Sequence, residues 1–156
     1  MSSTEDIGFV LINIDNSPVS NILFDTIDKF VNSNPYGQTI IFSSKCDKID
    51  TKNIPILHLS HAKFFTGNLV LIDIPSLIIT KSFTNYTNKY FYAIDVPWTN
   101  NAQANYSQWK SLFDDINLQI IASNKSIYDL YDICWKTPLG IAENFEYEKL
   151  YQIIKN

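Results

Sequence analysis

Short apolar runs alternate with amphipathic stretches along this chain of 156 residues, and the alternation restricts its fold more than any other feature. The first run, at residues 7–14, reads IGFVLINI. Its β-branched content is typical of a strand covered on both faces. Pro18 then stands where the first turn of a helix tolerates proline, and apolar residues from Val19 to Val31 recur at three-to-four spacing. The sequence therefore predicts a strand and a helix that stops near Asn34 and Pro35.

The same pattern continues through the rest of the chain. Further strands are predicted at residues 38–42, 54–59, 68–74, 89–96, 118–122 and 139–142. Further helices are predicted at 75–83, 102–116, 124–135 and 146–154, and a polar loop at 45–53. Ser123 is the predicted N-cap of the helix at 124–135. A strand running on from Leu69 to Thr80 competes with the helix at 75–83, although Pro75 disfavours it.

Strands that alternate with helices imply right-handed crossovers and a parallel sheet. We therefore predict one doubly wound, Rossmann-like α/β domain over residues 1–156. Its sheet is expected to be mostly parallel, with about six to seven strands and helices on both faces. The length of the chain is the usual size of one domain.

Charge excludes one large class of partners. The formal net charge is -4, and all 12 basic residues are lysines scattered along the chain. A nucleic-acid surface needs a basic stripe, usually with arginine forks, so no nucleic-acid partner is predicted. The absence of arginine, together with abundant Ile, Asn, Lys and Tyr, indicates an AT-rich genome such as that of a phage or a marine bacterium.

Hydropathy and cysteine spacing restrict the location of the protein and its metal chemistry. No apolar run approaches the ~20 residues that a membrane-spanning helix needs. Residues 1–6 lack the basic start and apolar core of a secretory signal. The sequence thus predicts a cytoplasmic protein with no membrane partner. Cys46 and Cys134 lie far apart without CxxC spacing, so neither a disulfide nor a metal site is predicted.

Polar residues collect at the predicted strand ends. Ligands of an open parallel sheet bind beyond the carboxyl ends of its strands, where helix amino termini point their N–H groups. The candidate ligand-binding residues are Asn13, Asp15, His58, His61, Asp73, Asp95, Trp98, Ser123, Glu143 and Asn144. Each of them also fits a helix cap or a turn, which every α/β fold needs at the same points.

Individual candidates carry different chemistry. His58 and His61 lie three residues apart, so on a strand they point to opposite faces and share a metal ion only if a turn or helix separates them. A hydrogen-bonding or general-base role is favoured, because imidazole titrates near neutral pH. Asp73 and Asp95 fit acid–base chemistry or contacts with sugar hydroxyls, with capping as the alternative. Trp98 fits either a ring that stacks on a sugar or base, or a side chain at the edge of the core.

Motifs of the common mechanisms are missing from the sequence. There is no GxxxxGK[ST] phosphate loop, and the residues at the end of the first strand read NIDNS instead of GxGxxG. The GxSxG motif of hydrolases is also missing. No cofactor is predicted, and ATPase and dinucleotide-binding functions are disfavoured.

The segment at residues 118–149, LQIIASNKSIYDLYDICWKTPLGIAENFEYEK, carries a family likeness. It resembles the end of the first domain of GT-B-fold glycosyltransferases, where a strand, a helix and a short strand lead into a P-x-G-I-x-x-N-F-like turn. Here that turn consists of Pro138, Gly140, Ile141, Glu143, Asn144 and Phe145.

The resemblance implies an acceptor-binding domain. In that family the first domain mainly binds the acceptor, and the second domain holds the nucleotide-sugar donor. The resemblance places His58, His61, Asp73 and Asp95 on the acceptor side. No donor domain follows within the 156 residues, so we expect no independent glycosyl transfer. Three alternatives stay open: an acceptor-side half that pairs with another polypeptide, a degenerate copy retained for binding, and a phage accessory protein.

Three functions remain open at this point. The first is a glycosyltransferase-like acceptor-binding domain, which should gather Asp73, Asp95, His58 and Trp98 in one crevice. The second is a structural or interaction module, for example a homodimer, which should expose an apolar patch. The third is a small enzyme that acts on a nucleotide or a phosphorylated metabolite.

Overall fold

Strands and helices alternate through the computed structural model, which describes residues 6–33, 37–48, 50–100 and 106–156. The strands are β1 (Ile7–Val10), β2 (Asn13–Ile14), β3 (Thr39–Ser43), β4 (Lys45–Cys46), β5 (Ile56–His58), β6 (Asn68–Leu71), β7 (Lys89–Ala93), β8 (Leu118–Ala122) and β9 (Gly140–Ile141). The α-helices are α1 (Pro18–Ser33), α2 (Ile74–Ile79), α3 (Pro97–Asn100), α4 (Tyr106–Phe113), α5 (Lys125–Cys134) and α6 (Tyr147–Lys155). Short 3-10 segments cover Leu59–Phe64, Thr80–Ser82 and Glu143–Phe145.

Seven strands form one parallel sheet in the order β5-β3-β1-β6-β7-β8-β9. The predicted doubly wound, Rossmann-like α/β class is therefore confirmed. The chain adds β3 and β5 on one side of β1, and then adds β6 to β9 on the other side. The direction of strand addition thus reverses between β1 and β6, and this pair is the topological switch point of the sheet.

Each face of the sheet carries its own apolar core, because successive strand residues point to opposite sides. On one face, Phe9 shares a core with α1 and α6 through residues such as Phe30 and Leu150. On the other face, its neighbour Val10 shares a core with α2, α4 and α5 that includes Phe113. Full burial of a large apolar side chain stabilises the fold by roughly 1.5 to 3 kcal/mol.

The strand predicted at residues 7–14 is broken, and this part of the prediction was wrong. β1 ends at Val10, and β2 pairs with β4 in a separate two-stranded parallel sheet. The break follows from the carbonyl of Ile12, which accepts hydrogen bonds from the backbone N–H groups of Ser44 (3.0 Å) and Lys45 (3.2 Å). The predicted loop at 45–53 therefore contributes β4, because the chain after Ser43 pairs with β2 instead of continuing as an unpaired loop.

Hydrogen bonds at helix starts shift several other boundaries. Asn124, not Ser123, is the N-cap of α5, since its side chain accepts from the backbone N–H of Ile127 at 2.9 Å. Asp73 caps α2, so the strand predicted at 68–74 ends at Leu71, and a helix rather than a continued strand follows it. His58 caps a 3-10 segment, which shortens the strand predicted at 54–59.

Two further boundaries concern the helix predicted at 102–116 and the end of the first helix. α4 ends at Phe113, and α3, which the sequence did not predict, follows β7. The predicted start at Ala102 and the predicted stop at Asn34 and Pro35 lie outside the described residues. Within the described ranges, none of the helices has the length and apolar character needed to cross a membrane.

Candidate functional site

Asp73 lies at the topological switch point between β1 and β6, where its carboxylate binds backbone N–H groups. Its Oδ2 accepts a hydrogen bond from the backbone N–H of Ile12 at 2.8 Å, and its Oδ1 accepts from the N–H of Ser76 at 2.7 Å. Ser76 Oγ accepts in return from the backbone N–H of Asp73 at 3.4 Å, which completes a capping box, and it donates to the Asp73 carbonyl at 2.7 Å. Both carboxylate oxygens therefore bind backbone, and Asp73 ties the end of β1 to the start of α2.

A second carboxylate lies just ahead of α1, where Rossmann-like domains place an anionic ligand group. Asp15 Oδ1 accepts from the backbone N–H of Ser17 at 3.0 Å and from Ser20 Oγ at 2.7 Å. Hydrogen bonds from Ser17 and Ser20 lower the pKa of Asp15 to about 2. The carboxylate is thus negative at neutral pH, and it would repel a phosphate group at this helix terminus.

The two histidines lie at the far edge of the sheet. His58 ends the edge strand β5, and its Nδ1 lies 2.9 Å from Ser60 Oγ and accepts from the Ser60 N–H at 3.3 Å. His61 is exposed in the 3-10 segment that follows. Three strands separate β5 from β7, which is about 19 Å at a spacing of about 4.8 Å. His58 therefore does not share a crevice with Asp95, and the prediction that a sugar site gathers Asp73, Asp95, His58 and Trp98 in one crevice was wrong.

Asp95 and Trp98 follow β7 on the side of α5. Asp95 is exposed, and its carbonyl accepts from the hydroxyl of Tyr131 at 3.2 Å. Burial, reinforced by the Asp95 charge, raises the pKa of Tyr131. The Trp98 ring makes edge-to-face contacts with the rings of Tyr131 (4.8 Å between centroids), Trp135 (5.6 Å) and Phe113 (5.9 Å). Trp98 thus serves as a core-edge side chain.

A cleft of about 330 Å³ opens at the carboxyl ends of β7, β8 and β9, beside the first turns of α1. We call it the edge cleft. It is lined by Val19, Ile22, Tyr92, Ile94, Ser123, Asn124, Glu143, Asn144 and Phe145. Three of the residues predicted from sequence, Ser123, Glu143 and Asn144, thus come together there. The other predicted residues do not line it.

The lining of the edge cleft includes two groups of side chains, which are exposed apolar side chains that we call the floor and the polar side chains of Ser123, Asn124, Glu143 and Asn144 that we call the rim. Val19, Ile22 and Ile94 are 48%, 42% and 40% exposed, although they are large apolar side chains. Ser123 Oγ donates to the carbonyl of Ile94 at 3.3 Å, which joins the rim to the end of β7. Among the described residues that line the cleft, Glu143 supplies the one carboxylate, and there is no lysine.

The sequence reasoning missed the apolar lining. Val19 and Ile22 belong to the three-to-four pattern of α1, and Ile94 continues the apolar run of β7, so all three resemble core residues in the sequence. One sequence signal could have identified Ile94, because it lies directly before Asp95, a polar residue at the end of a predicted strand. Asn13, a predicted candidate, lies exposed in β2, where it pairs with Lys45.

Two larger hollows lie away from the carboxyl edge. One, of about 590 Å³, lies at the amino edge of the sheet beside the end of α6, and the other, of about 600 Å³, lies between α2 and α4. The edge cleft is smaller, but it lies where loops from three adjacent strands converge. The described residues contain no group of three or more His, Cys, Asp or Glu side chains that could hold a metal ion.

Comparison with known proteins gives no relative of this chain. No family model, no curated protein and no solved structure matches it. The function must therefore be inferred from the chemistry of the site, since the fold class alone hosts many functions.

Proposed function

We propose that this chain is an acceptor-binding domain of the glycosyltransferase type and that the edge cleft is its binding site. The observation that carries the proposal is the pairing of an exposed apolar floor with a mostly neutral polar rim. A sugar has a matching construction, with a C–H face that packs on apolar side chains and hydroxyls that bind amides and carboxylates. Mostly apolar lining with a few placed polar groups is also the usual make-up of a small-molecule site.

The position of the cleft supports the same proposal. Its rim includes Glu143 and Asn144, which belong to the turn that resembles the GT-B glycosyltransferase family. In that family the first domain mainly binds the acceptor. The likeness and the cleft thus involve the same short segment.

Electrostatics favour a neutral ligand over a phosphorylated one. Glu143 lies on the rim of the cleft without a lysine among the other described lining residues. Asp15 keeps a negative charge ahead of α1, and Asp73 uses both oxygens on backbone N–H groups. A nucleotide or phosphometabolite enzyme needs the opposite arrangement, with free N–H groups and basic side chains at these points.

The proposal assigns donor binding to another domain or polypeptide. A nucleotide-sugar diphosphate requires cationic or N–H groups, and the edge cleft offers a carboxylate instead. Asp95, His58 and His61 lie outside the cleft, so none of them serves as the catalytic base in this proposal. The domain binds an acceptor and does not transfer sugar by itself.

A pair of filling substitutions tests the proposal. Ile22→Trp places an indole over the floor of the edge cleft, whereas Ile78→Trp adds the same ring to another exposed helical isoleucine outside it. We expect calorimetry to detect one or more neutral methyl glycosides that bind the wild type with a Kd of about 1 mM or tighter. Ile22→Trp should abolish that binding, and Ile78→Trp should leave it unchanged.

The same titrations include sugar phosphates and nucleoside diphosphates. We expect them to bind more weakly than the neutral glycosides. Tighter binding of the phosphorylated compounds, or equal binding by the wild type and Ile22→Trp, contradicts the proposed function.

A second candidate, an interaction module that forms a homodimer, is favoured by the outer face of α5. Leu130 and Ile133 lie three residues apart on this helix and are 41% and 80% exposed. Sedimentation equilibrium tests this candidate. A concentration-dependent dimer that Ile133→Lys dissociates supports it, and a strict monomer at high concentration contradicts it.

A further inference from the structure

One wall of the edge cleft has an unusual backbone conformation. Asn144 has φ 47° and ψ 38°, and Phe145 has φ 57°, so two successive residues other than glycine lie in the left-handed region. Asparagine accepts this region more readily than most residues, but an aromatic side chain rarely does. The turn must therefore be held by contacts from other parts of the chain.

Tyr92 of β7 supplies the first of these contacts. Its hydroxyl accepts a hydrogen bond from the backbone N–H of Phe145 at 3.0 Å and donates to the carbonyl of Ala142. The Tyr92 and Phe145 rings stack with centroids 4.2 Å apart and an angle of 20° between their planes. Tyr92 is 1% exposed and Phe145 is 4% exposed, so these contacts are shielded from water.

Thr26 of α1 supplies the second contact. Its Oγ1 donates to the carbonyl of Phe145 at 2.8 Å, and the residue is 5% exposed. Both backbone polar groups of Phe145 are thus bound by buried hydroxyls from elements distant in sequence. Each hydroxyl satisfies a group that would otherwise be buried without a partner.

We propose that Tyr92 and Thr26 are positioning residues of the edge cleft. They hold Phe145 from beneath in its left-handed conformation, and thereby keep the exposed Glu143 and Asn144 side chains on the rim. Tyr92 also lines the cleft, but its hydroxyl is bound to the backbone of Ala142 and Phe145, and Thr26 does not line the cleft. This inference rests on the proposed function, because it assigns the residues that shape the same site.

Tyr90 gives a matched control for Tyr92. It lies two residues earlier in β7, in the same core, and its buried hydroxyl donates to a backbone carbonyl, that of Ile154, at 3.3 Å. Tyr90 lies at the amino edge of the sheet and does not line the edge cleft. Tyr90→Phe and Tyr92→Phe thus each remove one buried hydroxyl from the same strand, at opposite ends.

The test compares Tyr92→Phe, Thr26→Val and Tyr90→Phe with the wild type. Calorimetry measures the affinity for the methyl glycoside that binds the wild type, and NMR measures the amide shifts and the HN–Hα couplings of Asn144 and Phe145. We expect Tyr92→Phe and Thr26→Val to lose about tenfold in affinity, because the first removes two buried hydrogen bonds of this turn and the second removes one. We expect Tyr90→Phe to stay within about twofold.

The couplings should change in Tyr92→Phe and Thr26→Val and remain as in the wild type in Tyr90→Phe. Equal affinity in all four proteins overturns the positioning role while leaving the proposed function intact. If the wild type binds no glycoside, the proposed function fails, and the positioning role is then decided by the couplings. Unchanged couplings in both Tyr92→Phe and Thr26→Val overturn it. If Tyr92→Phe does not fold, the affinity and the couplings of Thr26→Val decide the outcome.

Discussion

The switch point and the edge cleft both lie at the carboxyl ends of the strands of one sheet. They differ in whether their polar side chains bind backbone groups or remain exposed. At the switch point, both oxygens of the Asp73 carboxylate accept hydrogen bonds, from the backbone N–H groups of Ile12 and Ser76. At the edge cleft, the inward bonds come from Tyr92 and Thr26, so Glu143 and Asn144 remain exposed on the rim. Strand order alone therefore does not locate a site in a doubly wound sheet. The proposed site lies where Glu143 and Asn144 stay exposed, although Asn124 on the same rim caps α5.

The largest effect on stability is expected from Asp73→Ala. The substitution removes a helix cap, which costs about 1 kcal/mol, and leaves the N–H of Ile12 without its acceptor, which costs about 1 to 3 kcal/mol. We expect urea denaturation to show a loss of about 2 to 4 kcal/mol in the free energy of unfolding. Asp73→Asn, which keeps one acceptor oxygen, should lose less. Wild-type stability in Asp73→Ala would contradict a structural role for this carboxylate.

Alkaline pH should weaken the support beneath the edge cleft. Burial raises the pKa of Tyr92 from 10.0 to about 12. The unfolded chain therefore releases this proton at lower pH than the folded chain, and stability falls as pH rises from 10 to about 12. The expected slope is roughly 1.4 kcal/mol per pH unit from this one group. Urea denaturation of Tyr92→Phe should show a shallower decline than the wild type, and identical slopes would contradict the assignment.

Acidic pH should weaken the start of α1 instead. Hydrogen bonds from Ser17 and Ser20 lower the pKa of Asp15 from 3.8 to about 2. This contribution to stability is present above pH 3.8 and is lost as pH falls towards 2. Because Asp15 is exposed, we expect a smaller effect than at Tyr92. Asp15→Asn should remove this part of the acid dependence, as followed by circular dichroism at fixed urea concentration.

The smallest effect is expected from His61→Ala. His61 is exposed near the edge strand β5 and lies outside the edge cleft. Its replacement should change the free energy of unfolding by less than about 0.5 kcal/mol. Ligand affinity, measured by calorimetry, should stay within about twofold. A loss of affinity of tenfold or more would contradict the edge cleft as the binding site and would indicate that the ligand binds near β5.

The apolar pattern of the sequence was sufficient to predict the fold class. Buried runs such as those in β6 and β8 read as strands because helices cover both of their faces. The break after Val10 could not be read in the same way, since it depends on bonds from Ser44 and Lys45, which follow another strand. Local sequence patterns do not record such distant partners.

The candidate site was less predictable than the fold. Glu143 and Asn144 could be selected, because they follow a short strand and belong to the quoted turn. Val19 could not, because an apolar residue on a helix resembles a core residue until its exposure is known. The left-handed turn at Phe145 depends on hydroxyls that lie 119 and 53 residues away in the chain.

Amide NMR mapping of ligand binding tests the central claim most directly. The wild-type protein is titrated with the panel of neutral methyl glycosides, and chemical shifts are followed at the edge cleft and at the switch point. We predict concentration-dependent shifts at Ile94, Ser123 and Asn144, with the amides of Ile12 and Ser76 unchanged. Shifts at Ile12 and Ser76 without shifts at the edge cleft would contradict this account, because they would place the ligand at the switch point beside Asp73.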